Sequence, residues 1–334
     1  FAPQKSRLMN GSGRYMYSSN QGGLIFLALF LLSSVSSPAM GFSTSSKFWS
    51  ESAVQLAKDL SLSQRQKLLS EDGACIVGSR DTRIIAERMD PTTAGDWMRQ
   101  VGNKENSEED RITKIVHFQR HGQGYHNLLG EVLREAGLKP SVDSMDPAVN
   151  PWLRPEIVDS PLTEKGKEEC RQQCARAALL NPELVIVSPL LRAIQTAQIS
   201  FGHVLDQPDI PWVAHEGCRE ELGVLVCNKR RPLSLIQADY PNVEFAGEVT
   251  EEDTLWHPTE RESGISKSDR IYNFLVNYLA KRPESEIAVV GHSATLFHMC
   301  NAVIDCGDDQ DLSSWFLTSE IRSMKLTFQQ NTHL

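Results

Sequence analysis

The sequence predicts an α/β fold, a three-layer sandwich whose mostly parallel central sheet carries helices on both faces. Three observations predict it. From residue 111 onward, short apolar runs of strand type alternate with stretches of helical periodicity. No internal repeat or low-complexity tract interrupts them. The composition, 40% hydrophobic and 23% charged over 334 residues, is that of an ordinary globular protein, too apolar and mixed for a wholly disordered one. Strand, loop and helix repeated at these lengths specify parallel strands joined by crossover helices.

The elements follow in order. Residues 114–118, KIVHF, form the first strand, and a helix covers 127–136. A second helix runs over 164–180, with Thr163 as its N-cap after Pro161. Residues 184–187 are a strand ending at Ser188-Pro189, followed by a helix over 190–199 and a short strand at 212–214. A third long strand, 287–290, lies between helical stretches at 269–279 and 294–303, and 322–328 is a late strand. Length alone favours two domains. The pattern instead gives one α/β domain over 111–330.

Upstream the character changes. Residues 1–40 resemble a targeting segment: Arg14, then the nine-residue apolar core LIFLALFLL at 24–32, then small residues to Gly41. Nine residues are too few to span a bilayer core of about 30 Å, so a cleaved secretory signal is expected and no stable membrane span remains after processing. The acid-free, hydroxyl-rich GFSTSSKFWS that follows makes a plastid-type import signal an alternative, and a cytoplasmic location a further one. The sequence opens on Phe1, so the natural start is expected at Met9, at Met16 or upstream. Residues 41–110 read as a polar, partly disordered extension with short helices at 48–60 and 83–88. The charge run NKENSEED at 103–110 marks a solvated boundary near 111.

Lys and Arg number 34 against 43 Asp and Glu, a formal net charge of -9. Such a balance argues against nucleic acid as a partner, since binding it rests on a surplus of cations. An anionic ligand therefore needs a local basic pocket. The seven cysteines are odd in number and dispersed, which excludes a disulfide framework; Cys170 and Cys174, one helical turn apart, are expected as packing thiols.

In open α/β sheets ligands bind outside the carboxyl ends of the strands. There the first strand ends in Arg120-His121-Gly122, the second leads through Ser188-Pro189 to Arg192, and the third ends in Gly291-His292-Ser293. Each residue alone has a dull explanation. Four at equivalent places in an acidic protein point to a phosphoryl group, which guanidiniums grip in forked pairs and imidazoles can attack or hold. Flanking arginines repel a divalent cation, so no metal is expected. The acid candidates are Glu220 and Glu221 in CREELGV, and in an extended segment only one of two adjacent side chains faces the pocket. An acid role calls for desolvation of the carboxyl or for a proton shared with bound phosphate.

RHGQGYHN at 120–127, SPLLRAIQTA at 188–197, CREELG at 218–223 and VVGHS at 289–293, with LTEKG at 162–166, resemble the histidine phosphatase superfamily, or phosphoglycerate mutase-like family. The likeness covers about residues 111–330. It is nearest to plant and algal phosphoglycerate mutase-like proteins through the HAQG-type wording after Arg120, the LGVLVCNKRR stretch, Trp256 in LWHP and EIRS at 320–323. The resemblance implies the phosphoglycerate mutase-like fold, transient phosphorylation of His121, phosphoryl-oxygen contacts from Arg120, Asn127, Arg192 and His292, and proton donation by Glu220. It implies no cofactor. The family more commonly spaces that Glu four residues before a Gly; here Arg219 holds that position, so Glu221 stays a substitute. Gln123 stands where mutases commonly carry Glu. The activity expected is hydrolysis of a phosphomonoester, on a small molecule or a phosphoprotein. Mutase-type transfer is the runner-up, with Lys229, Arg230 and Arg231 available for a second anionic group, and a catalytically silent phospho-ligand binder is the third reading. Residues 224–268 show no long helical lid, which favours the phosphatase.

Overall fold

The computed structural model describes residues 50–70, 80–90, 111–247 and 249–331. The targeting segment expected at 1–40 and the charge run 103–110 lie outside them. In chain order the main elements are α1 (Glu51–Ser70), β1 (Thr82–Arg88), β2 (Arg111–Arg120), α2 (Tyr125–Glu135), α3 (Glu164–Ala177), β3 (Leu184–Val187), α4 (Leu191–Ser200, followed by the single turn Gly202–Leu205), β4 (Trp212–Ala214), α5 (Leu233–Asp239), β5 (Glu244–Phe245), α6 (Gly264–Asn273), β6 (Glu286–Gly291), α7 (Ser293–His298), β7 (Ile304–Asp305), α8 (Gln310–Ser313) and β8 (Ile321–Gln330).

The strands form one mixed sheet in the order β5-β4-β3-β6-β2-β8-β1-β7. Strand β8 is antiparallel to both of its neighbours. The other neighbouring pairs are parallel. Strands β3 and β6 are buried along their whole length. Their side chains alternate between two cores: Leu184, Ile186, Ile287 and Val289 pack with Ile271 of α6 and Leu296 and Phe297 of α7. Val185, Val187, Ala288 and Val290 pack with Ala177 of α3 and Ala193, Ile194 and Ala197 of α4 on the opposite face. This makes the three layers. It also explains why LVIV and IAVV read as unbroken apolar runs: a strand covered on both faces has no solvent side to carry polar residues. Each buried Val or Ile contributes about 1.5–3 kcal/mol by leaving water.

Helix α3 begins where expected, with Thr163 Oγ1 accepting from the Gly166 amide at 3.0 Å. Cys170 is buried on its inner face and Cys174 half-buried, as packing thiols should be. The helices predicted over 269–279 and 294–303 start as α6 and α7 and finish in π-helical turns, Phe274–Leu279 and Met299–Val303.

The main departure lies upstream of 111. A short helix was expected at 83–88, yet TRIIAER is strand β1, with Ile84 and Ala86 buried in alternation. It runs antiparallel along β8 and parallel to β7. The sheet therefore starts before the boundary read at 111. Seven residues with four polar ones give little periodicity, and the partner strand lies some 240 residues away. Helix α1 likewise reaches Ser70 rather than residue 60. Among the described residues no helix is long and apolar enough to cross a membrane.

Candidate active site

Sheet register brings the strand ends together. Arg120 of β2 pairs with Gly291 of β6, Val187 of β3 with Val290, and Ala214 of β4 with Val187. The next residues, His121, His292 and Ser188, thus leave the sheet at one edge. Two glycines let the chain close there. A Cβ on Gly122 would lie 2.5 Å from the Gly166 carbonyl oxygen, and one on Gly166 would lie 2.1 Å from the Gln123 carbonyl oxygen. The RHG turn and the N-terminus of α3 thus touch backbone to backbone.

His121 is 1% exposed. Its Nδ1 lies 2.6 Å from the Gly122 carbonyl, an oxygen that only accepts, so Nδ1 carries the proton and Nε2 keeps its lone pair. Burial, then the charges of Arg192 and Arg120, hold its pKa well below the usual 6.5. Arg192 Nε approaches that Nε2 at 3.3 Å, while its Nη1 and Nη2 donate to the Cys227 carbonyl (2.8 Å) and Asn228 Oδ1 (2.9 Å). The guanidinium is fully buried and held at its outer edge by the 227–228 turn. His292 stands 5.1 Å from His121, ring centre to ring centre, with Nε2 2.7 Å from Ser188 Oγ. Arg120 donates through Nη1 to the Phe316 carbonyl at 2.8 Å.

The two glutamates separate as alternation requires. Glu220 sits at the start of α7, accepting from the amides of Ala294 (3.2 Å) and Thr295 (3.1 Å) and from the Thr295 hydroxyl (3.2 Å). Its charge opposes the burial that lowers the pKa of Arg120 and of Arg192. Glu221 instead pairs with Lys267 (2.6 Å) and Arg261 (3.2 Å). Arg219 is a buried tie: its guanidinium binds Asp253 at 2.9 and 2.6 Å, Glu216 at 2.9 Å and the Asn228 carbonyl at 2.7 Å.

Asn127 lies in the first turn of α2. Its Oδ1 caps α2 by accepting from the Gly124 amide at 3.0 Å, which leaves the NH₂ group to donate elsewhere. Gln123 is 2% exposed and structural, bonded to Glu131 and Thr163. Of the basic trio, Arg230 is buried among the carboxylate of Glu216 and the carbonyls of 250–252, and Arg231 pairs with Asp159 and Asp239. Lys229 lies 5.0 Å over the Trp256 ring.

One residue escaped the sequence reading. His126 lies in the first turn of α2, its ring centre 5.4 Å from that of His121. The signal was a second histidine in RHGQGYHN, next to a residue already selected.

Fold and site together define an α/β protein with imidazoles and guanidiniums gathered at the carboxyl edge of its parallel strands. The model of the histidine phosphatase superfamily, branch 1, matches residues 155–327, and the chain belongs to that superfamily of enzymes. A phosphoglycerate mutase-like protein of Arabidopsis thaliana is 33% identical over 246 residues, covering 65% of this chain and 86% of the relative. Phosphoglycerate mutase-like protein 1 of the same plant is 33% identical over 242 residues, covering 63% and 80%. Among solved structures, a phosphoglycerate mutase from Bacillus anthracis str. Sterne is 17% identical with a TM-score of 0.41, covering 66% of this chain and 90% of that one.

Proposed function

We propose that this protein is a phosphatase that hydrolyses a phosphomonoester, of a small molecule or a phosphoprotein, through a phosphohistidine on His121. The observation that carries the reading is the Nδ1–H bond to the Gly122 carbonyl, which leaves the Nε2 lone pair of a neutral imidazole on the Arg192 side, where it accepts from Arg192 Nε at 3.3 Å. A neutral imidazole is a competent nucleophile.

In the first step Nε2 attacks phosphorus in line. The bond to the ester oxygen breaks, and that oxygen takes a proton which Glu220 shares with the bound ester. In the second step a water oxygen attacks the phosphohistidine, Glu220 takes the water proton, and the P–N bond breaks to free phosphate and restore the lone pair. Arg120, Arg192, His292 and the Asn127 amide bear on the non-bridging oxygens, where fixed positive and donor groups supply most of the acceleration. The amides of Ala294 and Thr295 hold the Glu220 carboxyl in place between steps.

His121→Ala is expected to abolish phosphate release from an aryl phosphate. Turnover near that of the parent protein contradicts the assignment.

Mutase-type transfer is the second reading, favoured by the naming of the Arabidopsis relatives and by Lys229, the one member of the basic trio not held by carboxylates or carbonyls in the described residues. A mutase keeps water out and needs a cation for a second anionic group. Against it, α5 is seven residues long and forms no extended lid. Incubation with 3-phosphoglycerate and its bisphosphate primer, beside a generic aryl phosphate, separates the two: isomer exchange without free phosphate selects the mutase.

A further inference from the structure

Besides His121, the described histidines packed into the fold are His117, His292 and His298, which are buried, and His126 and His215, which are half-buried; they fall into two groups. Three are bonded inside the fold: His117 through Ser323 (2.8 Å) and Glu286 (2.9 Å), His298 through Ser268 (2.7 Å), and His215 by accepting from the Gly217 amide (2.9 Å). His126 and His292 differ. Each buries its Nδ1 with no partner in the protein, and both flank His121. A buried polar nitrogen left unbonded costs about 1–3 kcal/mol, so two beside one reactive histidine call for a reason.

The His126 ring is held where it is. Its turn is anchored by Trp152 Nε1 donating to the His126 carbonyl at 2.8 Å. Gly124 leaves room for the ring, since a Cβ there would lie 2.7 Å from both Nδ1 and Cε1. The groups that bear on it electrostatically are Arg192 of α4, and Arg120 and His121 at the end of β2, with His292 at the end of β6 on the same cluster. None of these is acidic. A structural ion pair is therefore not its role, and the complement to this surface is an anion.

We propose that His126 is a further substrate-contacting residue, which donates a hydrogen bond from its ring to a non-bridging oxygen of the phosphoryl group held beside His121. The inference rests on the phosphoryl-transfer reading of the same site. In it, His126 and His292 flank the reacting nitrogen as a pair of imidazole donors, and the guanidiniums of Arg120 and Arg192 supply the charge.

The test uses orthovanadate binding to the full chain, which needs no turnover. His126→Phe keeps an aromatic ring and removes both nitrogens; it should weaken orthovanadate by about tenfold or more, and His126→Asn, which retains a donor, should recover part of the loss. Because the contact is to a non-bridging oxygen, kcat/KM should fall by one factor across aryl phosphates of graded leaving-group acidity. Unchanged orthovanadate affinity in a folded His126→Phe protein overturns the proposal, and so does a loss graded with the leaving group. Should the Phe variant not fold, the ¹⁵N resonances of the His126 ring in the parent protein decide: a shift on adding orthovanadate supports the contact, and none overturns it. A parent protein that binds orthovanadate through His126 yet releases no phosphate defeats hydrolysis and leaves this contact standing.

Discussion

At the scale of single residues, the site depends on which nitrogen of His121 holds the proton. The Gly122 carbonyl fixes it. The residues that could be found from sequence were those forced onto strand ends: Arg120, His121, Arg192 and His292 gather as the topology demands. Sequence does not tell what Glu220 and Glu221 each meet; in the fold one lies at the start of α7 and the other against the cations Lys267 and Arg261. Asn228 was invisible for the same reason; nothing in its neighbours announces that its Oδ1 holds Arg192 while its amide holds the Glu221 carbonyl. Two outcomes follow. Glu220→Gln should lower kcat by about 10²–10⁴ for alkyl phosphates and by much less for esters with acidic leaving groups, read by steady-state kinetics. Burial, then neighbouring arginine charge, pushes the pKa of His121, His126 and His292 well below 6.5. Their ring resonances in the free protein should therefore show no midpoint between pH 6 and 7, and one that titrates there contradicts the burial.

At the scale of elements, the fold was legible where a strand is buried on both faces or a helix has a recognisable cap. LVIV and the helix behind Thr163 were read to within a few residues. Strand β1 was not, because its stability comes from β8 and β7 rather than from its own pattern. The same dependence is open to test. Removing residues through 90 leaves the β1 edge of β8 unpaired and uncovers Leu326 and Phe328, so that protein should melt lower or aggregate; melting unchanged from the full chain contradicts the place of β1. The RHGQ and TEKG segments, 40-odd residues apart, make sense as a pair, since Gly122 gives room to the Gly166 backbone and Gly166 to the backbone of Gln123. Gly166→Ala meets backbone rather than a movable side chain, and should cost at least the 1–3 kcal/mol typical of overpacking, about 2–4 °C of melting temperature per kcal/mol at this size.

At the scale of the molecule, the net charge of -9 sits against a strand-end cluster of imidazoles and guanidiniums. The protein keeps that cluster from repelling itself by burying its histidines neutral. Burial also lowers His215 to about 4 and His298 to about 3. Unfolded, all of these titrate near 6.5. Above that pH both states are neutral there; below it the unfolded chain takes up protons that the folded one refuses. Stability should thus fall as pH drops from about 6.5 toward 4, by up to about 1.4 kcal/mol per pH unit for each histidine. A flat melting temperature across that window contradicts it. The central claim is tested most directly by mixing the protein with a phosphomonoester, quenching within milliseconds and measuring intact mass. The account predicts an adduct of one phosphoryl group that acid removes and that His121→Ala does not form. Phosphate release with no such adduct, or an acid-stable adduct on another residue, contradicts it.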